Sequence, residues 1–302
     1  MSERLRLSGS VEAALGERRP VVALETSVLA QGLRPPRNLE AASAMEEEIR
    51  AAGAEPAWIW VDGGAVRIGL EPADLHRLTG GSGVVKVARR DLPVIIASGR
   101  AGATTVSAAL WAASAAGIEV TTTGGIGGVH RGKGDVSADL LELSRVRGTL
   151  VCSGPKSILD PGATLERLEE LGVLVMGYRC SFLPFFLSVS AGLPLEHRAE
   201  TPAEVAATAR ARQALAMGTV LVVCNPVPEG AGLPLEEVER AVSACLDLAK
   251  RQGVSGKALT PFLLGCVADA TGGASVEANI ALLRANAGLA AEVAAAVLSE
   301  PT

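Results

Sequence analysis

Short uninterrupted apolar runs recur along the chain, and longer stretches between them carry apolar positions at helical spacing. The runs Val21–Leu24, Val84–Val87, Val94–Ala97, Ile118–Thr122, Thr149–Cys152, Val173–Met176 and Thr219–Cys224 predict strands. Trp58–Val61 and Val66–Gly69 flank "DGG" and predict a hairpin. Helices are expected over Ser107–Ala116, 161–171, Pro202–Met217, Leu235–Arg251, Leu259–Ala270 and Ser275–Leu298. In the fourth of these, Leu235, Val238, Val242, Cys245, Leu246 and Ala249 fall on one helical face. Asp160 reads as an N-cap, Pro161 as the first helical residue and Gly172 as the stop. Strands alternating with helices predict an α/β fold, with helices on both faces of a mixed, largely parallel sheet. No shift in composition marks a boundary, so residues 1–302 read as a single domain.

Composition narrows this further. Apolar residues make up 48% of the 302 residues but aromatics only 3%, so the core must be aliphatic. The net charge of −5 comes without a clustered basic face, which argues against nucleic acid as a partner. The short pair Arg89-Arg90 is followed at once by Asp91. The five cysteines are widely scattered, form no CxxC motif and fit a reducing compartment, four of them as core residues. The N-terminal stretch lacks the apolar core of a signal peptide, and no uninterrupted apolar run spans a bilayer. The expectation is a cytoplasmic protein with no membrane partner.

In open α/β sheets, ligands bind beyond the carboxyl ends of the strands, so polar residues that follow apolar runs are the candidates. Glu25 ends "VVALE", where it can serve as acid or base or simply cap the next element. Lys86 lies within "VVKVA", and Asn225 follows "VLVVC". "TTTGGIGGVHRGKGD" (121–135) offers a glycine-rich backbone with His130, Arg131 and Lys133. Its Gly127-x4-Gly132-Lys133 imitates a P-loop but has Gly134 where Ser or Thr is required, which favours a simple phosphate or a sugar phosphate over a nucleoside triphosphate. Thr104 and Thr105 open a helix, as phosphate ligands or as caps. Asp135, Ser137 and Asp139 alternate, as a hard-cation site or as an N-cap cluster. Lys156 sits in "SGPKS" between a strand and a helix. There it either clamps a phosphate or acts as a nucleophile, which requires a lowered pKa that the positive end of the following helix favours.

Taken together, "ALETS", "VVKVARRDLP", "GATTVSAAL", "TTGGIGGVHRG", "DVSADLLEL", "CSGPKSILD", "NPVPE", "GKALTPFLL" and "TGGASVEANIALLRANAGLAAEVA" make the chain resemble the pseudouridine-5′-phosphate glycosidases, nearly end to end. Indigoidine-cluster proteins belong to the same family. The resemblance implies a homotrimeric three-layer α/β/α fold and a divalent metal, typically manganese. It also implies reversible cleavage of pseudouridine 5′-phosphate to uracil and ribose 5-phosphate. By the same resemblance Lys156 is the Schiff-base nucleophile, Glu25 the proton donor and Asp135 the metal ligand. Lys86, Val106, Ser137, Ala138 and Asp139 match substrate-binding positions, and Asn279 matches a polar active-site residue. Thr104, Thr105 and His130 complete the expected substrate site. Three positions depart from the common pattern: Gln31 where many members have His, Pro155 in place of Ala, and Cys180 in place of Thr. The alternatives are a Schiff-base phosphosugar aldolase and a non-catalytic phosphosugar-binding protein.

Overall fold

The structure, a computed structural model, describes residues 4–80, 83–132 and 135–299. β1 (Leu5–Leu7) and α1 (Gly9–Gly16) lead into β2 (Val21–Glu25). A π-helical turn, Val28–Gly32, and α2 (Arg37–Ala51) precede the hairpin of β3 (Glu55–Asp62) and β4 (Ala65–Ile68). Then come α3 (Pro72–Thr79), β5 (Val85–Val87), α4 (Leu92–Ala97), β6 (Gly102–Thr104), α5 (Val106–Ala116) and β7 (Val120–Thr122). The middle of the chain holds β8 (Val129–His130), α6 (Ala138–Leu143), β9 (Gly148–Cys152), β10 (Leu159–Asp160), α7 (Pro161–Glu170) and β11 (Leu174–Tyr178). β12 (His197–Ala199), α8 (Pro202–Ala214), β13 (Val220–Cys224), α9 (Leu235–Gln252), α10 (Leu259–Ala270) and α11 (Ala274–Leu298) follow.

The main sheet runs β1-β4-β3-β2-β7-β9-β13-β11-β12. From β3 to β12 all neighbours are parallel, while β3 pairs antiparallel with β4 and β6. The mixed, largely parallel sheet expected from the sequence is the one that forms. Alternate residues of each central strand serve opposite faces. Val22, Leu24, Val151, Leu221 and Val223 join one core, which takes in Ala41, Met45 and Ile49 of α2, Val205 of α8, Val242 of α9 and Leu282 of α11. Val21 and Ala23 face Val11 of α1 and the alanines of α5, while Leu150, Val220 and Val222 face Leu110, Leu140 and Leu168. Helices therefore cover both faces, which is why these strands read as solid apolar runs rather than alternating ones.

Two expectations need correction, and one helix went unread. Val94–Ala97 is not a strand but the end of α4. Pro93 lies in its first turn, only Leu92 and Ile95 are buried, at i, i+3 spacing, and Val94 faces solvent. The helix α2 leaves little trace in the sequence because its buried stripe, Ala41, Ala42, Met45 and Ile49, is half alanine. The cysteines are not all unpaired: Cys245 of α9 and Cys266 of α10 form a disulfide, leaving Cys152, Cys180 and Cys224 free. That pairing runs against the reducing compartment inferred from their scatter. Among the described residues α11 alone is long and apolar enough to cross a membrane. Half of its most apolar window is buried here, and it packs on α2, α8 and β7.

Candidate active site

β2, β7 and β9 are adjacent and parallel, so their carboxyl ends open on one edge of the sheet. Glu25, the last residue of β2, is only 3% exposed. Its Oε2 accepts from Ser27 Oγ at 2.6 Å and from the Val28 N–H at 3.2 Å. Thr123, one residue past β7, donates to Oε1 at 3.3 Å. Three donors from two strand ends thus fix the carboxyl group.

The chain after β9 explains the unusual placing of Lys156. Gly154 adopts φ +75°, and a Cβ there would lie 2.0 Å from the Pro184 carbonyl, so only glycine fits the turn. Pro155 bridges to Ile126, and the Lys156 N–H donates to the Ile126 carbonyl at 3.1 Å. β10 then pairs antiparallel with β8, Leu159 opposite His130. Asp160 accepts from the Ala163 N–H at 2.9 Å and starts α7 as the sequence indicates. The lysine loop and the glycine-rich loop are therefore one hydrogen-bonded unit.

Two contiguous cavities meet at this point. One is lined by Glu25, Gln31, Thr123, Gly124, Gly125, Phe186, Leu264 and Asn279. The other is lined by Arg90, Thr105, Val106, His130, Asp135, Ser137, Ala138, Asp139 and Lys257. Ser27, Lys86, Lys156 and Thr260 border both. Lys156 thus stands at the boundary between a side with a carboxyl, an aromatic ring and carboxamides and a side rich in cations and hydroxyls. Burial lowers the pKa of Lys86 and the Lys156 ammonium adds to this, against the opposing pull of Asp139 and Glu25. Burial likewise lowers that of His130, opposed by Asp135 and reinforced by both lysines.

Several expected residues have other employment. Thr104 is fully buried, and its hydroxyl donates to the Ile59 carbonyl and pairs with Thr26, so it does not reach the cavities. Asp139 borders the cavity, but its carboxylate accepts the Ser107 and Gly127 N–H groups, each at 2.9 Å, and so ties the start of α5 to the glycine loop. That use corrects the grouping of Asp135, Ser137 and Asp139 as a joint cation site. Only Asp135 presents a carboxylate with no such tie, and no group of three or more His, Cys, Asp or Glu among the described residues is arranged to hold a metal. The glycine loop does not cradle an anion along its length. Its N–H groups at Ile126, Gly127, Val129 and His130 all bond within the protein. A Cβ at Gly127 would meet Ser137 and one at Gly128 would meet Thr164, so these glycines serve close packing. Arg131 is paired with Glu239 and with the carbonyls of Ser157 and Leu159. Lys133 and Gly134 lie outside the described residues. Asn225 faces a different cavity and donates to Asn286.

The sequence reading missed Ser27, Thr123, Phe186, Lys257 and Thr260. For Phe186 a signal was present: three of the four phenylalanines of an aromatic-poor chain fall between 182 and 186. The hydroxyl residues carry no such mark.

Residues 10–296 match the family model described as indigoidine synthase A like protein. A protein of Myxococcus xanthus named pseudouridine-5′-phosphate glycosidase is 49% identical over 97% of this chain and 98% of its own length. One of the same name from Caldanaerobacter subterraneus is 43% identical over 97% of each. Two solved structures superpose with a TM-score of 0.91 at 36% identity and cover 99% of this chain. One is the prealnumycin C-glycosynthase AlnA in complex with ribulose 5-phosphate, matched over 98% of its length, and the other an indigoidine synthase A-like protein of Thermotoga maritima, matched over 99%. With the family model spanning almost its whole length, the chain belongs to the indigoidine synthase A-like family, on the side of it where relatives carry the name pseudouridine-5′-phosphate glycosidase.

Proposed function

We propose that the protein cleaves pseudouridine 5′-phosphate with water to uracil and ribose 5-phosphate, reversibly. The position of Lys156 on the boundary between the two cavities carries this reading. The cationic side, with Lys86, Arg90, Lys257, Thr105 and Ser137, suits a phosphorylated ribose. The other side takes the base, which places the sugar's C1′ beside Lys156.

The bond to be broken joins C1′ to uracil C5, and a carbon leaving group does not accept a proton as readily as the oxygen of an ordinary glycoside. An amine solves this. Glu25 protonates the ribose ring oxygen and opens the sugar. The Lys156 amine bonds to C1′, and its nitrogen lone pair then expels uracil as C5 gains a proton. The product at this stage is a lysine imine, which water hydrolyses to ribose 5-phosphate and free Lys156. Glu25 can act in these steps because Ser27, Val28 and Thr123 hold its orientation from below. A divalent ion such as Mn2+ fits only as a mostly hydrated one, with Asp135 as its single carboxylate ligand. When bound it supplies charge and ordered water beside the phosphosugar. The homotrimer belongs to the same reading.

Ultraviolet detection of uracil tests the reaction. Wild-type protein releases uracil from pseudouridine 5′-phosphate, and borohydride with ribose 5-phosphate leaves a covalent adduct on the chain. Lys156→Ala lowers release by at least about 10³-fold and forms no adduct, since the nucleophile is removed rather than weakened. Uracil release by Lys156→Ala at the normal rate rules the lysine mechanism out. A chelator suppresses turnover and manganese restores it. Full activity in metal-free protein removes Asp135 from its role.

A further inference from the structure

The turn that carries Lys156 is held by a side chain from outside it. The three residues after the lysine, Ser157, Ile158 and Leu159, are each 1% exposed, so carbonyls there need donors from the protein. Arg131 supplies two of them. Its Nε donates to the Leu159 carbonyl at 2.9 Å and its Nη2 to the Ser157 carbonyl at 3.2 Å. The Lys156 carbonyl is taken up within the turn by the Leu159 N–H, also at 2.9 Å. The Ser157 hydroxyl donates to the Phe185 carbonyl at 3.0 Å, which fixes that residue from a further side.

The guanidinium is itself anchored. Its other edge meets Glu239 of α9, with Nη1 donating to Oε2 at 2.5 Å and Nη2 to Oε1 at 2.7 Å. Its Cζ also lies 6.0 Å from the centre of the Phe185 ring. Val238, Val242, Cys245 and Ala249 bury α9 in the core, so Glu239 stands on a fixed post. Both edges of the planar fork are in use, a geometry that lysine cannot copy. The Arg131 and Glu239 side chains are 25% and 38% exposed, and a partly exposed ion pair adds little to stability, so the fold alone accounts poorly for this arrangement. Neither residue lines the two cavities, so any effect on the reaction passes through the turn.

Resting on the role of Lys156 proposed above, we propose that Arg131, anchored by Glu239, is a positioning residue for that lysine. It sets where the amine stands, and so how fast the amine bonds to C1′, without touching the substrate. A reacting group displaced by about 1 Å loses on the order of 10²-fold in rate. The clamp also fixes the lysine relative to His130, the residue before Arg131, which pairs with Leu159 across β8 and β10.

The test follows the rate at which borohydride traps the ribose 5-phosphate imine on the full-length protein. Beside it stand the Kd of ribose 5-phosphate and kcat and KM for pseudouridine 5′-phosphate. Arg131→Ala is expected to slow trapping and kcat together by about 10²-fold, while the Kd stays at the wild-type value. Millimolar guanidinium is expected to restore part of the lost rate by occupying the vacated place. Arg131→Lys is expected to stay slow, because an ammonium cannot serve both carbonyls and Glu239 at once. Combining Arg131→Ala with Glu239→Gln separates the clamp from simple charge balance. Trapping as slow as in Arg131→Ala supports the clamp. Recovery to the wild-type rate means that Arg131 only neutralises Glu239, and the inference is wrong. A wild-type rate in Arg131→Lys overturns it too, as does a Kd that weakens in step with trapping. Should Arg131→Ala not fold, Arg131→Lys decides alone. An adduct in the wild type without uracil release sinks the reaction proposed above but not the clamp, which the trapping rates still decide. No adduct in the wild type sinks both.

Discussion

Lys86 shows what burying a charge at this site costs the protein. It is a half-buried ammonium beside a second one, Lys156, and burial is the larger cause of its lowered pKa. The ordinary value is 10.5, so the unfolded chain holds this proton to higher pH than the folded one. In the window between the lowered value and 10.5 the unfolded state binds more protons, and stability rises with pH. Below the window both states are charged and the whole penalty stands. Lys86→Met is therefore expected to melt a few degrees higher than the parent at pH 7, with the advantage shrinking toward pH 10.5, while substrate binding weakens. Melting curves across that range check it. A variant that melts lower at pH 7 means that attraction to Asp139 and Glu25 outweighs burial. At this scale the sequence was informative where a polar residue ended an apolar run: Glu25, Lys86 and Lys156 all border the cavities. It was uninformative about direction. Alternate spacing of Asp135, Ser137 and Asp139 says nothing of which carboxylate turns inward to bind backbone N–H groups. Thr260 carries no local mark because its place on the cavity wall depends on what faces it across the chain.

At the level of elements, α10 decides how tightly the site is closed. The short 3₁₀ turn Gly256–Ala258 and the start of α10 supply Lys257, Thr260, Pro261 and Leu264 to the cavities, and Lys257 is tied to Asp91 at 2.8 Å. The Cys245–Cys266 disulfide fastens α10 to α9, whose own stripe is buried in the core. With a sequence separation of 21 between the cysteines, the chain-entropy account assigns the crosslink about 3 kcal/mol. Thiol titration of the unfolded protein without reductant is expected to count three thiols, rising to five after reduction, and reduction lowers the denaturation midpoint. Five thiols at the outset mean the cysteines are unpaired as isolated. Both helices were legible from their apolar spacing, and Cys245 even fell on the buried stripe of α9. The pairing was not, because bringing Cys245 to Cys266 depends on how two helices cross, which no single-helix pattern encodes.

For the whole molecule, the decisive feature is where the sheet changes direction. The chain leaves β2 toward β3 and β4 on one side, and later enters β7 and continues to β9 on the other. β2 and β7 are neighbours whose connections diverge, and open α/β sheets bind ligands at the crevice such a pair creates. The hydrogen bond from Thr123 to Glu25 spans that crevice. Glu25, Gln31 and Lys86 come from one side of it in sequence, and Lys156 and Asn279 from the other, so the site exists only when both halves are joined. The alternation of strands and helices announced the layers, but strand order was beyond it, since apolar runs of this kind are interchangeable until long-range pairing selects among them. The same sheet and the core beneath α2, α8 and α11 continue across the crevice without a break. The protein is therefore expected to unfold in one calorimetric transition. Ribose 5-phosphate at a hundred times its Kd should stabilise that whole transition by about 2.7 kcal/mol, because the ligand binds only the joined state. Two resolved transitions, with the ligand shifting one alone, would show instead that the halves fold separately and that the site is borne by a single half.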